Sequence, residues 1–151
     1  MKVAVEESVL QQLKDYGNGR PTVEVCGALL GQKSEDEGLW KINEFIPITN
    51  VTNRALEAVH YIPDPTEWFQ AIRQTRLVKS SADKDFMGVF HTHPNNLPIP
   101  SETDHREAGY KGIYIIFSPK FNSLGFYYYD GNEDRKIWTN VEENTGIVNV
   151  K

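Results

Sequence analysis

Two histidines one residue apart, followed by a serine and an aspartate, set what this chain can do. Residues 91–104 read His-Thr-His-Pro-Asn-Asn-Leu-Pro-Ile-Pro-Ser-Glu-Thr-Asp. Within these fourteen residues lie two imidazoles, a hydroxyl and a carboxylate. Two imidazoles and one carboxylate can hold a metal ion with one position left open. An open position on a bound metal points to hydrolysis rather than to structure.

The flanking residues must aim these groups. Phe86-Met87-Gly88-Val89-Phe90 is apolar and reads as a buried strand. Successive side chains on a strand point to opposite faces, so His91 and His93 share a face and can converge on one ion. Thr92 points the other way and takes a structural role. Pro94 cannot donate to a sheet ladder and ends the strand. Pro94, Pro98 and Pro100 fix φ and stiffen the loop that returns the chain to the same ion. Ser101-Glu102-Thr103-Asp104 reads as a helix start, with Ser101 as N-cap, Asp104 at N3 in the capping-box spacing, and Gly109 ending a short helix over 101–109. Capping alone accounts for this tetrapeptide. It is also compatible with chemistry, because a rigid first turn would make Asp104 a well-held ligand.

The segment resembles the JAMM motif, H-x-H-x7-S-x2-D, of the MPN (JAB1/MPN/Mov34) metalloprotease family, carried here by His91, His93, Ser101 and Asp104. That family also places a glutamate far upstream at the start of an apolar strand. Val23-Glu24-Val25-Cys26-Gly27-Ala28-Leu29-Leu30-Gly31 is similar to that segment, including the Glu-X-Cys-Gly form common in bacterial members. The Ala108-Gly109 pair and the strand Ile113–Phe117 also match, so the resemblance spans roughly residues 5–130. None of the five motif positions departs from the pattern.

The resemblance implies a compact prokaryotic-type member over residues 1–151. Its fold would be α+β, a mixed β-sheet flanked by helices (the MPN/JAB domain, cytidine-deaminase-like). The cofactor implied is Zn2+, held by His91, His93 and Asp104. An amide is a poor electrophile with a poor leaving group, so a proton carrier is still needed. Glu24 is implied as that general base and acid, and Ser101 as the group that bonds the developing oxyanion or positions the water. The implied substrates are peptide or isopeptide bonds at the C-terminal tail of a ubiquitin-like protein or sulfur carrier. An extended tail would add along a sheet edge near the metal, with Leu97, Ile99 and Trp68 as apolar groups beside it. Activating or conjugating enzymes of the E1 and E2 kind are implied as operon partners. A hydrolase of small peptide-like metabolites and a non-catalytic MPN scaffold are the alternative readings; the complete ligand set weighs against the scaffold.

Nothing in the spacing links residue 24 to residue 91; only the family pattern does. Glu44, Glu57 and Glu67 are competing carboxylates. Glu67 has a local explanation, since Asp64-Pro65-Thr66-Glu67 is a capping box with proline at N1. Cys26 reads as a small buried residue beside Gly27.

Composition narrows the classes further. A chain of 151 residues can bury a sizeable core. A net charge of −5 leaves no basic footprint for nucleic acid or an anionic membrane. No apolar run approaches a membrane span, and the N-terminus lacks a signal-peptide apolar core. One cysteine excludes an internal disulfide and fits a reducing cytoplasm. Amidohydrolase barrels need many more residues. Metallo-β-lactamases place an Asp-His shortly after the pair, and cupins a glutamate; here Pro94-Asn95-Asn96-Leu97-Pro98 follows.

Periodicity predicts helices over 6–16, with Gly17 and Gly19 beyond the end, and over 65–79. Strands are expected over 22–31, 39–48, 59–62, 112–118 and 124–130, with a last pair at 135–140 and 146–150 and a polar turn at 33–38. The aromatic run Phe126–Tyr129 reads as strand packing.

Overall fold

The computed structural model describes residues 2–34, 38–77, 84–131, 138–140 and 142–143. One mixed sheet of eight strands forms the frame, in the order β7-β6-β5-β4-β2-β3-β1-β8. The strands are β1 (Lys2–Val5), β2 (Cys26–Ser34), β3 (Leu39–Ile48), β4 (Asp85–Thr92), β5 (Gly112–Ser118), β6 (Ser123–Tyr129), β7 (Trp138–Asn140) and β8 (Glu142–Glu143). The helices are α1 (Glu7–Gly19), α2 (Pro65–Leu77) and α3 (Glu102–Glu107). β4 runs parallel to β5 and antiparallel to β2, so it sits inside the sheet with partners on both sides.

Both faces of the sheet are covered. Alternate residues of β5 divide between them, with Ile113, Ile115 and Phe117 packed with Val9 and Leu13 of α1, and Tyr114 and Ile116 packed with Trp68 and Ala71 of α2. β4 divides likewise at its C-terminal half. Phe90 joins the α1 side and Val89 the α2 side. His91 therefore faces α2 with Val89, while Thr92 faces α1, where its Cγ2 would lie 3.0 Å from a Cβ built on Gly17.

That alternation is reset by a bulge. The β2–β4 register slips between Leu29, opposite Gly88, and Leu30, opposite Phe86. A slip of one residue exchanges the faces of a strand, so the bulge decides which side the histidines occupy. Gly88 sits at this slip and also lies close against β5, where a Cβ on it would collide with the carbonyl oxygen of Ile113. Gly88→Ala should therefore cost about 1–3 kcal/mol through forced backbone shifts, read as a lowered midpoint in a denaturant melt.

Several expectations about element bounds are corrected. α1 continues through Gly17 to Gly19 instead of stopping at residue 16. Gly17 is buried, and a Cβ on it would lie 2.6 Å from the Phe117 ring, so this glycine permits close helix–sheet packing rather than ending the helix. β2 begins at Cys26, not at 22, and extends to Ser34, into the expected turn. Residues 59–62 form no strand; they belong to an arm, residues 49–64, tied by a lone bridge between Asn50 and Pro63. β1 and β8 were not expected; the four-residue β1 is too short to display a clear period. Residues 135–137 and 146–150 of the expected last pair, and residues 78–79 of the expected second helix, lie outside the described residues.

Candidate active site

His91 is the last residue of β4 paired with β2, opposite Cys26, and the strand runs on beside β5 through Thr92, with the His93 N–H donating to Phe117 O at 2.9 Å. Both rings are buried, His91 completely. The prolines return the chain to α3, where Ser101 and Asp104 form the reciprocal capping box. The Asp104 N–H donates to Ser101 Oγ at 3.0 Å, and the Ser101 N–H donates to Asp104 Oδ2 at 2.9 Å. The first turn of α3 is thereby fixed with Asp104 pointing at the histidines.

Three donor atoms meet there. His91 Nε2 lies 3.2 Å from His93 Nε2 and 3.2 Å from Asp104 Oδ2, and His93 Nε2 lies 2.9 Å from the same oxygen. His93 Nδ1 is 3.0 Å from the carbonyl oxygen of Leu97. A carbonyl only accepts, so Nδ1 carries a proton and Nε2 is the atom turned to the cluster, where it holds a second proton or, as a lone pair, a cation. Three electron-rich atoms at these separations require a proton or a cation between them. Tetrahedral zinc with nitrogen and oxygen donors at 2.0–2.2 Å spaces those donors about 3.3 Å apart. The cluster fits such an ion in chemistry and in spacing. Burial alone would raise the Asp104 carboxyl. The opposing charge of His91 and hydrogen bonds from His91, His93 and the Ser101 N–H outweigh it and hold Asp104 well below the usual carboxylate range.

Glu24 stands beside them. It is buried, and its carboxylate and one nitrogen from each histidine all lie within 4.8 Å of one another. Two carboxylates thus compete for the third ligand position. Asp104 is the better placed, because its Oδ2 already touches both nitrogens. Burial pushes the Glu24 carboxyl up to about 8, against the pull of His93 and with Asp104 and Glu107 adding to the rise. A carboxyl near neutrality suits a group that must both take and return a proton.

The backbone around Glu24 is pinned. Its N–H donates to Glu57 O at 2.6 Å. The Val25 N–H donates to Thr92 Oγ1 at 2.9 Å, and that hydroxyl reaches Val23 O at 3.5 Å. Thr92, the residue between the histidines, therefore grips the chain on both sides of Glu24. This is the link between positions 24 and 91 that sequence spacing could not supply.

A groove with a volume of about 460 Å³ opens over Glu24, His93 and Ser101. Val59, Leu97, Ile99 and Phe121 line it and are about half exposed. Tyr127 braces its wall by donating a 2.6 Å hydrogen bond to Pro98 O.

The pattern of the family described as prokaryotic homologs of the JAB domain matches residues 6–139. The chain belongs to that family. It is 31% identical over 137 residues to the desampylase of Haloferax volcanii, covering 90% of this chain and 91% of that protein. It is 30% identical over 87 residues to a probable TtuB-protein conjugate cleaving protease of Thermus thermophilus, 55% of each protein. A JAB1/MPN domain protein from Archaeoglobus fulgidus shares the fold at a TM-score of 0.54 and 16% identity, over 94% of this chain and 96% of that one. The α+β mixed sheet flanked by helices is thus the MPN fold, in a compact prokaryotic JAMM-type member.

Within this JAB domain, some expected residues lie elsewhere. Trp68 is buried on α2 against the sheet and lines a separate cavity, which Asp104 also borders, so it is not a groove residue. β4 is flanked by β5 and β2, so the groove is not a sheet edge; the outermost strands are β7 and β8. Glu67 completes no capping box. Asp64 Oδ1 accepts from the Thr66 and Glu67 N–H groups, but the Glu67 carboxylate bonds the N–H and hydroxyl of Thr49. Glu44 pairs with Lys84. Cys26 is fully buried with its thiol directed at Ile48 O, and burial, with Glu24 and Glu67 adding, pushes it up to about 12. Phe126 and Tyr129 are buried strand packing.

Two neighbours of the site escape sequence reasoning. Tyr61 stacks on His91, with ring centroids 4.7 Å apart. Among the described residues His91 Nδ1 is buried without a hydrogen-bond partner, so the stack supports the ring alongside the contact of Nε2 with Asp104. Asn50 bonds the Glu24 carbonyl. Only its place in a polar run, Thr49-Asn50-Val51-Thr52-Asn53, hinted at a turn-forming role.

Ser101 can serve two purposes at once. As N-cap its oxygen accepts from Asp104, which leaves its O–H to donate. Ser101→Gly removes the hydroxyl while costing only a few tenths of a kcal/mol of capping. Steady-state kinetics on this variant should give kcat about 10²–10³ lower, with the thermal midpoint nearly unchanged.

Proposed function

We propose that this chain is a zinc-dependent peptidase or isopeptidase. Its substrate is the C-terminal tail of a ubiquitin-like protein or sulfur carrier, cleaved in deconjugation or precursor processing. The observation that carries this reading is the meeting of His91 Nε2, His93 Nε2 and Asp104 Oδ2 within 3.2 Å of one another, with the buried Glu24 alongside and a groove above. The names of the Haloferax and Thermus relatives support the substrate class.

His91, His93 and Asp104 would hold the ion. Bound there, zinc supplies Lewis acidity toward a carbonyl and lowers the pKa of a water. Glu24 takes a proton from the attacking water and delivers it to the leaving nitrogen. The Ser101 hydroxyl donates to the oxygen on which negative charge develops. The exposed apolar side chains of Val59, Leu97, Ile99 and Phe121 receive an extended tail. The E1- and E2-like operon partners belong to this same reading.

The test uses fusions of ubiquitin-like proteins carrying a reporter after the terminal glycine. Cleavage at that glycine, abolished by a chelator and restored by zinc, is the expected result. Absence of cleavage across a broad panel, with small acylated peptides hydrolysed instead, would contradict the assigned substrate class.

A further inference from the structure

Asn50 is not a site residue by any motif, yet it occupies a junction. It lies in the arm between β3 and α2, residues 49–64. Its Nδ2 donates to Glu24 O at 3.0 Å and to His60 O at 3.1 Å. Its Oδ1 accepts from the Thr52 N–H at 3.1 Å and the Ile62 N–H at 2.9 Å. A primary amide has two donor hydrogens and two good acceptor positions, and Asn50 uses all four. A fully satisfied, half-buried amide of this kind favours one arrangement of the chains it joins.

The chains joined are the two that border the cluster. On one side is the carbonyl of Glu24. On the other are His60 and Ile62, the residues immediately before and after Tyr61, whose ring lies on His91. Other ties of the arm are backbone bonds from Glu24 N to Glu57 O at 2.6 Å, from Val51 N to Ile62 O at 2.8 Å and from Asp64 N to Thr49 O at 2.9 Å, the bonds of Thr49 to Glu67, and the contacts of His60 with Thr52 and Glu107; Asn50 is the side chain among them that reaches both Glu24 and the residues flanking Tyr61.

We infer that Asn50 is a positioning residue, the side chain that holds Glu24 and the Tyr61 arm in register across the cluster. Its amide hydrogens set the Glu24 backbone, and its oxygen sets the arm. This inference rests on the proton-transfer role proposed for Glu24. The bonds to Thr52 and Ile62 are independent of that role.

Two substitutions separate the halves. Asn50→Asp keeps the oxygen acceptors and loses both donors, whereas Asn50→Ala loses everything. With the zinc-loaded protein and a ubiquitin-like fusion, Asn50→Asp should lower kcat about tenfold or more while KM stays within about twofold, zinc remains stoichiometric and the melt is preserved. Placed on a Glu24→Gln background, the same substitution should add no further loss, because both changes act through one group. Amide hydrogen exchange gives a readout without activity. Thr52 and Ile62 should stay protected in Asn50→Asp and lose protection in Asn50→Ala.

Wild-type kcat in Asn50→Asp, or full additivity with Glu24→Gln, would overturn the link to Glu24. Unchanged exchange in Asn50→Ala would overturn the link to the arm. A wild-type protein that cleaves nothing would defeat the proposed function instead, and the exchange measurement would still decide whether Asn50 holds the arm.

Discussion

Glu24→Gln is expected to lower kcat about 10²–10⁴-fold, the range for loss of a positioned proton carrier, while zinc stays bound at one per chain. That loss corresponds to roughly 3–5.5 kcal/mol of barrier. Glutamine keeps the size and polarity of glutamate, and the hydrogen bonds that pin this segment, from Glu24 N to Glu57 O, from Val25 N to Thr92 Oγ1 and from Asn50 Nδ2 to Glu24 O, do not involve the carboxylate. The fold should therefore survive. A base works only when deprotonated. Burial pushes the free carboxyl up to about 8, and a bound dication would pull it lower. The wild-type rate should thus rise with pH over a limb lying below that value, and the limb should vanish in the glutamine variant. Stopped assays across pH, with metal analysis of the same samples, check all three statements. Metal lost together with activity would make Glu24 a ligand.

Asp104→Ala is expected to have the second large effect, on metal content. Asp104 Oδ2 touches both Nε2 atoms. Removing it should weaken zinc binding by more than the 10–100-fold that loss of an outer-shell partner costs. It also removes half of the capping box, so a modest stability loss accompanies it. Asp104→Asn separates the effects. The amide can still accept from the Ser101 N–H but is a poor ligand, so it should keep the melt and still lose zinc. Equilibrium dialysis with zinc on both variants reads the outcome. Full stoichiometry at wild-type affinity in either variant would remove Asp104 from the ligand set.

The parts of this site that were legible in the sequence are the local ones. His91 and His93 share a face because strand geometry has a period of two. Ser101 and Asp104 sit on a capped turn because capping follows from short-range hydrogen bonding. What was not legible depends on contacts between distant residues. The bulge at Gly88, which selects the face of the histidines, lies in the pairing of β4 with the distant β2 and leaves no periodic trace. Glu24 joins the site through Thr92, 68 positions away in the chain. Tyr61 and Asn50 lie in an arm whose apolar residues suggest a strand; its backbone groups are instead satisfied in part by one asparagine side chain. Gly17 gives the same lesson for the fold. Local propensity predicts a helix end there, and packing against Phe117 carries the helix past it.

The chemistry proposed for this site turns on where a cation sits. Crystals of the zinc-loaded protein, measured on both sides of the zinc absorption edge, test this directly. The expected result is one anomalous peak bounded by His91 Nε2, His93 Nε2 and an oxygen of Asp104, with Glu24 outside bonding distance. A peak ligated by Glu24 in place of Asp104, or no peak among these side chains at full zinc loading, would contradict it.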